Sequence, residues 1–179
     1  QQVSGTIWRS VRVPSSDWIR QFSPHTSYTT SYGLESGVKE TATFHMHTMM
    51  SLENGGQLSF AGDWIYDGLT EPLNLTTGVD DAGDRTFVEV PTGEYSGRLF
   101  NPSVNTSTQV PVVWRTNLLF GQFFSGTRKG GNTSLSFQLG GALAGAIALE
   151  YNRIELPGPG GKFDATLLSG RIGYSFSPS

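Results

Sequence analysis

Residues 131–178, GNTSLSFQLGGALAGAIALEYNRIELPGPGGKFDATLLSGRIGYSFSP, decide how the rest of the chain is read. Leu135, Phe137 and Leu139 alternate with Ser134, Ser136 and Gln138, and beyond the Gly140-Gly141 break Leu143, Ile147, Leu149 and Tyr151 carry the bulk on odd positions. After Pro157-Gly158-Pro159-Gly160-Gly161, Leu168, Ile172, Tyr174 and Phe176 alternate with Ser169, Arg171, Gly173 and Ser175. Apolar bulk recurring every second residue is the mark of a strand, because successive side chains leave a pleated backbone on opposite sides. The stretch therefore predicts three consecutive strands, each with one apolar and one small or polar face.

The same period extends towards the N-terminus. Val110, Val112, Trp114, Leu118 and Phe120 oppose Arg115 and Asn117, and Leu58, Phe60, Trp64 and Tyr66 oppose Ser59, Ala61, Asp63 and Asp67. Between Leu34 and Leu52, even positions are apolar through Val38, Ala42, Phe44, Met46 and Met50, while Lys39, Thr41, Thr43, His45 and His47 stand between them. This predicts one strand of nearly twenty residues, long against the usual ~5–6. Asn54-Gly55-Gly56 predicts a hairpin turn, since both central residues tolerate positive φ. Residues 3–13 read as a short strand, and residues 17–28 as a weaker one in which Pro24 marks an edge, a bulge or an end. Residues 69–93 read as a polar loop with a short strand at 86–90. Residues 93–100 and 109–124 read as strands separated by polar residues 101–108, and residues 127–132 as a turn. About nine β segments result, and no 3.6-residue period survives over a dozen positions.

Composition narrows the class. Glycine is 23 of 179 residues, roughly 13% against a usual ~7%, and charged residues are only 15%. Aromatics at 12% argue against disorder, and a net charge of −3 offers no footprint for nucleic acid. Cysteine is absent, so neither disulfides nor thiolate chemistry enter. No apolar run reaches the ~18 residues of a membrane helix, but a barrel strand needs only ~9–11 residues, half of them polar.

Alternation alone suits either a sandwich, with its apolar face inward, or a membrane barrel, with its apolar face towards lipid. Long strands with short Gly and Asn turns at one end favour the barrel. So do polar faces rich in Ser, Thr, Asn and Gly, and aromatics near strand ends: Trp18, Trp64, Tyr66, Tyr151, Tyr174 and Phe176. The expected fold is all-β: an antiparallel up-and-down transmembrane β-barrel, or a large segment of one with about 8–10 strands, as a single unit over residues 1–179. Arg115 and Arg171 mark the lumen face with Asp63, because each Arg on the lipid side at mid-depth would cost roughly 2–4 kcal/mol. Leu58, Phe60, Trp114 and Ile172 are then expected to face lipid.

Ordered along the chain are Asp17-Trp18-Ile19-Arg20, Asn54-Gly55-Gly56, Thr70-Glu71-Pro72-Leu73, Pro91-Thr92-Gly93-Glu94-Tyr95, Phe123-Phe124-Ser125-Gly126-Thr127-Arg128, Tyr151-Asn152-Arg153 and Arg171-Ile172-Gly173-Tyr174-Ser175-Phe176-Ser177-Pro178. This succession resembles the predicted outer-membrane barrel of the bacterial "domain of unknown function 5916" family, whose members often carry a family 9-type carbohydrate-binding module before the barrel. The resemblance implies a surface-located barrel in the bacterial outer membrane, with no established activity. It also implies strands beyond Ser179, supplied by more chain or by partner chains. The carbohydrate-binding module has no counterpart here.

The expected role is that of a surface anchor or passage, not an enzyme, with the lipid bilayer as partner, a glycan or small solute as ligand, and no cofactor. A secreted carbohydrate-binding β-sandwich with Trp64, Tyr66 or Trp114 as sugar platforms is the alternative. His45 and His47 are the sharpest metal candidates, since residues i and i+2 share a strand face; His25 and Asp63 could complete the set. Such a pair on a polar wall is more commonly solvated, and no metal site is assigned. Asp80, Asp81 and Asp84 offer oxygen ligands in a loop without a known calcium spacing. Glu71, Glu89 and Glu94 could supply paired carboxylates only if folding set them at a suitable separation. The sequons at Asn74, Asn105 and Asn132 are read as accidental.

Overall fold

A computed structural model describes residues 1–176; Ser177-Pro178-Ser179, where the last family-like motif ends, lie outside the described residues. The chain is all-β, 73% strand and without helix among the described residues. The strands are β1 (Gln2–Trp8), β2 (Val11–Arg12), β3 (Ile19–Tyr32), β4 (Lys39–Leu52), β5 (Gln57–Leu69), β6 (Leu73–Val79), β7 (Arg85–Val90), β8 (Gly93–Asn105), β9 (Val112–Phe123), β10 (Gly126–Leu139), β11 (Leu143–Glu155) and β12 (Lys162–Tyr174). One antiparallel sheet runs in the order β1-β3-β4-β5-β8-β9-β10-β11-β12, with β2 continuing the lane of β1 beside β3. A separate hairpin pairs β6 with β7.

The sheet is open, and no closed barrel is found. Every neighbouring pair along the nine lanes is antiparallel, so the two edge strands, β1 and β12, run in the same direction. Antiparallel pairing between those edges is therefore impossible.

Several local expectations need correction. The long alternation from Leu34 resolves into a turn over residues 33–38, closed by Gly33 N–H donating to Val38 O, and β4 starts only at Lys39. Leu34 and Val38 are exposed turn residues, and Gly37 supplies the positive φ. Residues 127–132 are not a turn but the first half of β10; the chain reverses at Phe124-Ser125. Gly130 and Gly131 lie inside that strand because neighbouring backbone crowds them: an added Cβ would stand 2.5 Å from Tyr151 O and 2.4 Å from Asn117 O respectively. Residues 101–105 are not loop but the end of β8, since Asn101, Ser103 and Asn105 simply continue its polar face. The stretch 69–93 holds two strands, not one.

Two prolines sit inside strands. Pro24 O accepts from Arg9 N–H, so the side of Pro24 that lacks a donor faces the interruption between β1 and β2, and pairing with Thr48 on β4 continues undisturbed. Pro102 pairs with Phe60 on β5, while the β8–β9 ladder lapses between Phe100↔Phe120 and Ser103↔Asn117. A reciprocal amide pair bridges the lapse: Asn101 Nδ2 donates to Asn117 Oδ1 at 3.2 Å and Asn117 Nδ2 to Asn101 Oδ1 at 2.7 Å. The Asn54-Gly55 turn forms as expected, but as a three-residue loop in which only Gly55 takes a positive φ, closed by Leu52 N–H on Gly56 O.

Candidate functional site

The two faces of the sheet differ in chemistry and in exposure. Cross-strand partners share a face, and one face collects Phe44↔Trp64, Phe100↔Phe120, Trp114↔Leu135, Leu135↔Ile147 and Leu149↔Leu168. These side chains are the exposed ones: Phe60 is 43% exposed, Trp114 45% and Ile172 76%. Leu58 stands on the same face, half-buried, paired with Met50 and Val104. Aromatic neighbours pack within the face, Phe44 with Trp64 at 5.7 Å and Phe60 with Phe100 at 6.4 Å between ring centres. Charged residues sharing this face, Glu94, Arg98, Lys129, Arg153 and Asp164, lie in the strand halves nearer one rim, where Arg153 and Asp164 form a bidentate ion pair at 2.7 Å.

The opposite face is polar and mostly half-buried. Asp63, Arg115 and Arg171 all belong to it, through Asp63↔His45, Arg115↔Ser134 and Arg171↔Ala146. Its side chains largely satisfy one another. Ser59 and Ser103 hydroxyls meet at 2.6 Å, Arg128 donates twice to Asn152 Oδ1, and Asn152 donates to Glu150. Among the described residues no buried side-chain polar atom lacks a partner. Arg115 and Arg171 line one shallow depression with Ser134, Ser136 and Ser169.

The histidine expectation meets its register. His25 on β3 lies opposite His47 on β4, and His45 lies opposite Asp63 on β5. His47 Nδ1 and His25 Nδ1 are 3.2 Å apart, and His45 Nδ1 lies 2.5 Å from Asp63 Oδ1. Ring centres are separated by 4.7 Å (His25 to His47), 5.2 Å (His25 to His45) and 5.9 Å (His45 to His47). Among the described residues no group of three or more His, Asp or Glu side chains is placed so that it could hold a metal ion.

The other carboxylates have structural uses or stand apart. Asp80 Oδ1 accepts from Ala82 N–H and Asp84 N–H, capping the β6–β7 turn with Gly83 at positive φ. Glu71 lies in the bend before β6, Glu89 on β7 and Glu94 at the start of β8, and among the described residues no hydrogen bond or ion pair joins them. Of the sequons, Asn74 pairs with Glu89 on the hairpin, Asn105 ends β8, and Asn132 lies on the polar face of β10.

One cluster was missed by sequence reasoning. Val88, Val90 and Leu156 are buried, and Leu69, Leu75, Tyr95, Phe123, Phe124 and Ile154 pack against them. Leu69, Tyr95, Phe123 and Ile154 project from the polar side of the sheet at the rim where β5 ends and β8 begins. The β6–β7 hairpin thus folds over one end of the polar face and forms an apolar core there. The only signal in the sequence was the Val88-Glu89-Val90 alternation inside a segment otherwise read as polar.

No family profile matches this chain, and neither the curated proteins nor the solved structures contain a match to it.

Proposed function

We propose that this chain is the wall of a bacterial outer-membrane β-barrel, or a large segment of one, serving as a surface anchor or passage. The observation that carries the reading is the inversion of the faces: large apolar side chains crowd one exposed face with no layer over it among the described residues, while most side chains of the polar face are half-buried and several of them bond to one another, Arg115 and Arg171 standing exposed on it. A soluble sheet buries its apolar face against a second layer, and among the described residues the only other sheet, β6–β7, packs on the polar side. Contiguous exposed apolar surface of this extent marks an interaction face, and lipid is the partner that suits a continuous row of Phe, Leu, Ile and Trp bordered by charge. Asp63, Arg115 and Arg171 then face the lumen and Leu58, Phe60, Trp114 and Ile172 the bilayer. The resemblance of the ordered motifs to the domain of unknown function 5916 barrels suits the same placement, although no family profile matches the chain.

Nine antiparallel lanes need an odd number of further strands, from more chain or from a partner, before edge can meet edge antiparallel. The test is solubility and labelling. The protein should require detergent, and environment-sensitive labels at Leu58, Phe60, Trp114 and Ile172 should be reached by lipid-phase quenchers after reconstitution. A detergent-free soluble monomer whose labels escape those quenchers overturns the reading. Glycan binding lost on Trp64→Ala would then favour the secreted sandwich.

A further inference from the structure

The chain has three histidines in 179 residues, and all three converge on one spot of the polar face, drawn from β3 and β4 with an aspartate from β5 beside them. We propose that His25, His45 and His47 form a binding site for a divalent transition-metal ion of the Zn²⁺, Cu²⁺, Ni²⁺ and Co²⁺ class, oriented by Asp63. Imidazole nitrogens suit these ions better than Mg²⁺ or Ca²⁺, which take oxygen.

The spacing is that of a tris-imidazole site. Three imidazoles on one tetrahedral ion at ~2.0–2.1 Å metal–nitrogen distance hold neighbouring nitrogens about 3.3 Å apart and ring centres about 5 Å apart. His25 Nδ1 and His47 Nδ1 already stand 3.2 Å from each other, and the three centre distances run from 4.7 to 5.9 Å. As placed, the Nδ1–H of one ring donates to the Nδ1 of the other; a cation takes the place of that shared proton once the donor ring carries its hydrogen on Nε2 instead, which leaves both Nδ1 lone pairs for the ion. His45 presents the complementary arrangement. Its Nδ1 donates to Asp63, which leaves Nε2 as the lone-pair nitrogen, the carboxylate–histidine pairing that orients metal ligands elsewhere.

As placed, the donors do not converge on an ion: His25 and His47 are joined through Nδ1, and His45 Nδ1 is joined to Asp63. Ion binding takes rotation of the three rings, with Asp63 following His45 so that their bond is kept, on strands whose registers hold His25 opposite His47 and His45 opposite Asp63. The ring cluster is partly open, with the His45 and Asp63 side chains 27% and 21% exposed, so an aqueous ion can reach it. The Asp63 charge favours a cation there. This site uses one face of the sheet whatever covers the other, and it stands or falls separately from the membrane reading.

The test is a Co²⁺ titration of the tag-free full chain, in detergent where needed. Expected are one Co²⁺ per chain with the visible absorption of a four- or five-coordinate ion, displacement by Zn²⁺, and loss of the band in His25→Ala and in His47→Ala. Asp63→Asn should weaken binding about 10–100-fold. Zinc X-ray absorption on the unmutated protein, which needs no variant to fold, should show three nitrogen neighbours. An absence of Co²⁺ and Zn²⁺ binding at millimolar concentration, a band that survives His47→Ala, or an all-oxygen zinc environment overturns the site.

Discussion

Phe124 has a φ of 48°, the only positive value on a non-glycine among the described residues. A bulky side chain in that region costs of order 1–3 kcal/mol, and a two-residue hairpin turn would ordinarily place glycine there. What holds it is packing: Phe124 meets Tyr95 edge-on at 5.3 Å and Phe123 at 4.8 Å, inside the small core under the β6–β7 hairpin. Each such aromatic pair contributes about 0.5–1.5 kcal/mol beyond burial. The packing exceeds the strain, so Phe124→Gly is expected to lower stability by about 1–2 kcal/mol in denaturant unfolding, even though it relieves the backbone. An unchanged or raised midpoint would show strain to be the larger effect. The residue reads in sequence only as one of two adjacent phenylalanines; its positive φ goes with the two-residue turn set by the Phe123↔Gly126 pairing, which alternation cannot supply.

At the scale of elements, the β6–β7 hairpin is an attachment to the sheet and not part of it. Val90, 2% exposed, is the most buried large side chain described and anchors it beside Val88 and Leu156. Burying Asp at that position without a partner costs more than the roughly 1.5–3 kcal/mol that a buried valine contributes, so the hairpin should release instead of holding the charge. Val90→Asp is therefore expected to expose residues 73–90 to protease while amide protection of β9–β12 stays unchanged. Loss of protection throughout β9–β12 would mean that the hairpin core stabilises the whole sheet. The strands of the main sheet were largely legible, since β4, β5, β9, β10, β11 and β12 show the period of two directly. The β6 strand was not, because a register shift between Thr76 and Gly78 disrupts its alternation.

The whole molecule is defined by the contrast between its faces, and substitutions should respect it. In vesicles, Ile147→Lys on the exposed apolar face is expected to cost roughly 2–4 kcal/mol, whereas Glu150→Lys on the polar face of the same strand should stay within about 0.5 kcal/mol. Equal costs in an unfolding titration from lipid would remove the basis for assigning the faces. The sequence by itself determined that the chain is strand-rich, where most turns fall, and which residues share a side within each strand. Those are consequences of local backbone geometry: a pleat alternates side chains, and Gly, Asn and Pro select turns. Tertiary structure alone decided that His25 stands against His47 and His45 against Asp63, that the gap between β1 and β2 accommodates Pro24, and that the hairpin packs on the polar side. It also decided which face is the more shielded. Each depends on register and curvature between strands far apart in the chain, and a period of two carries no information about either.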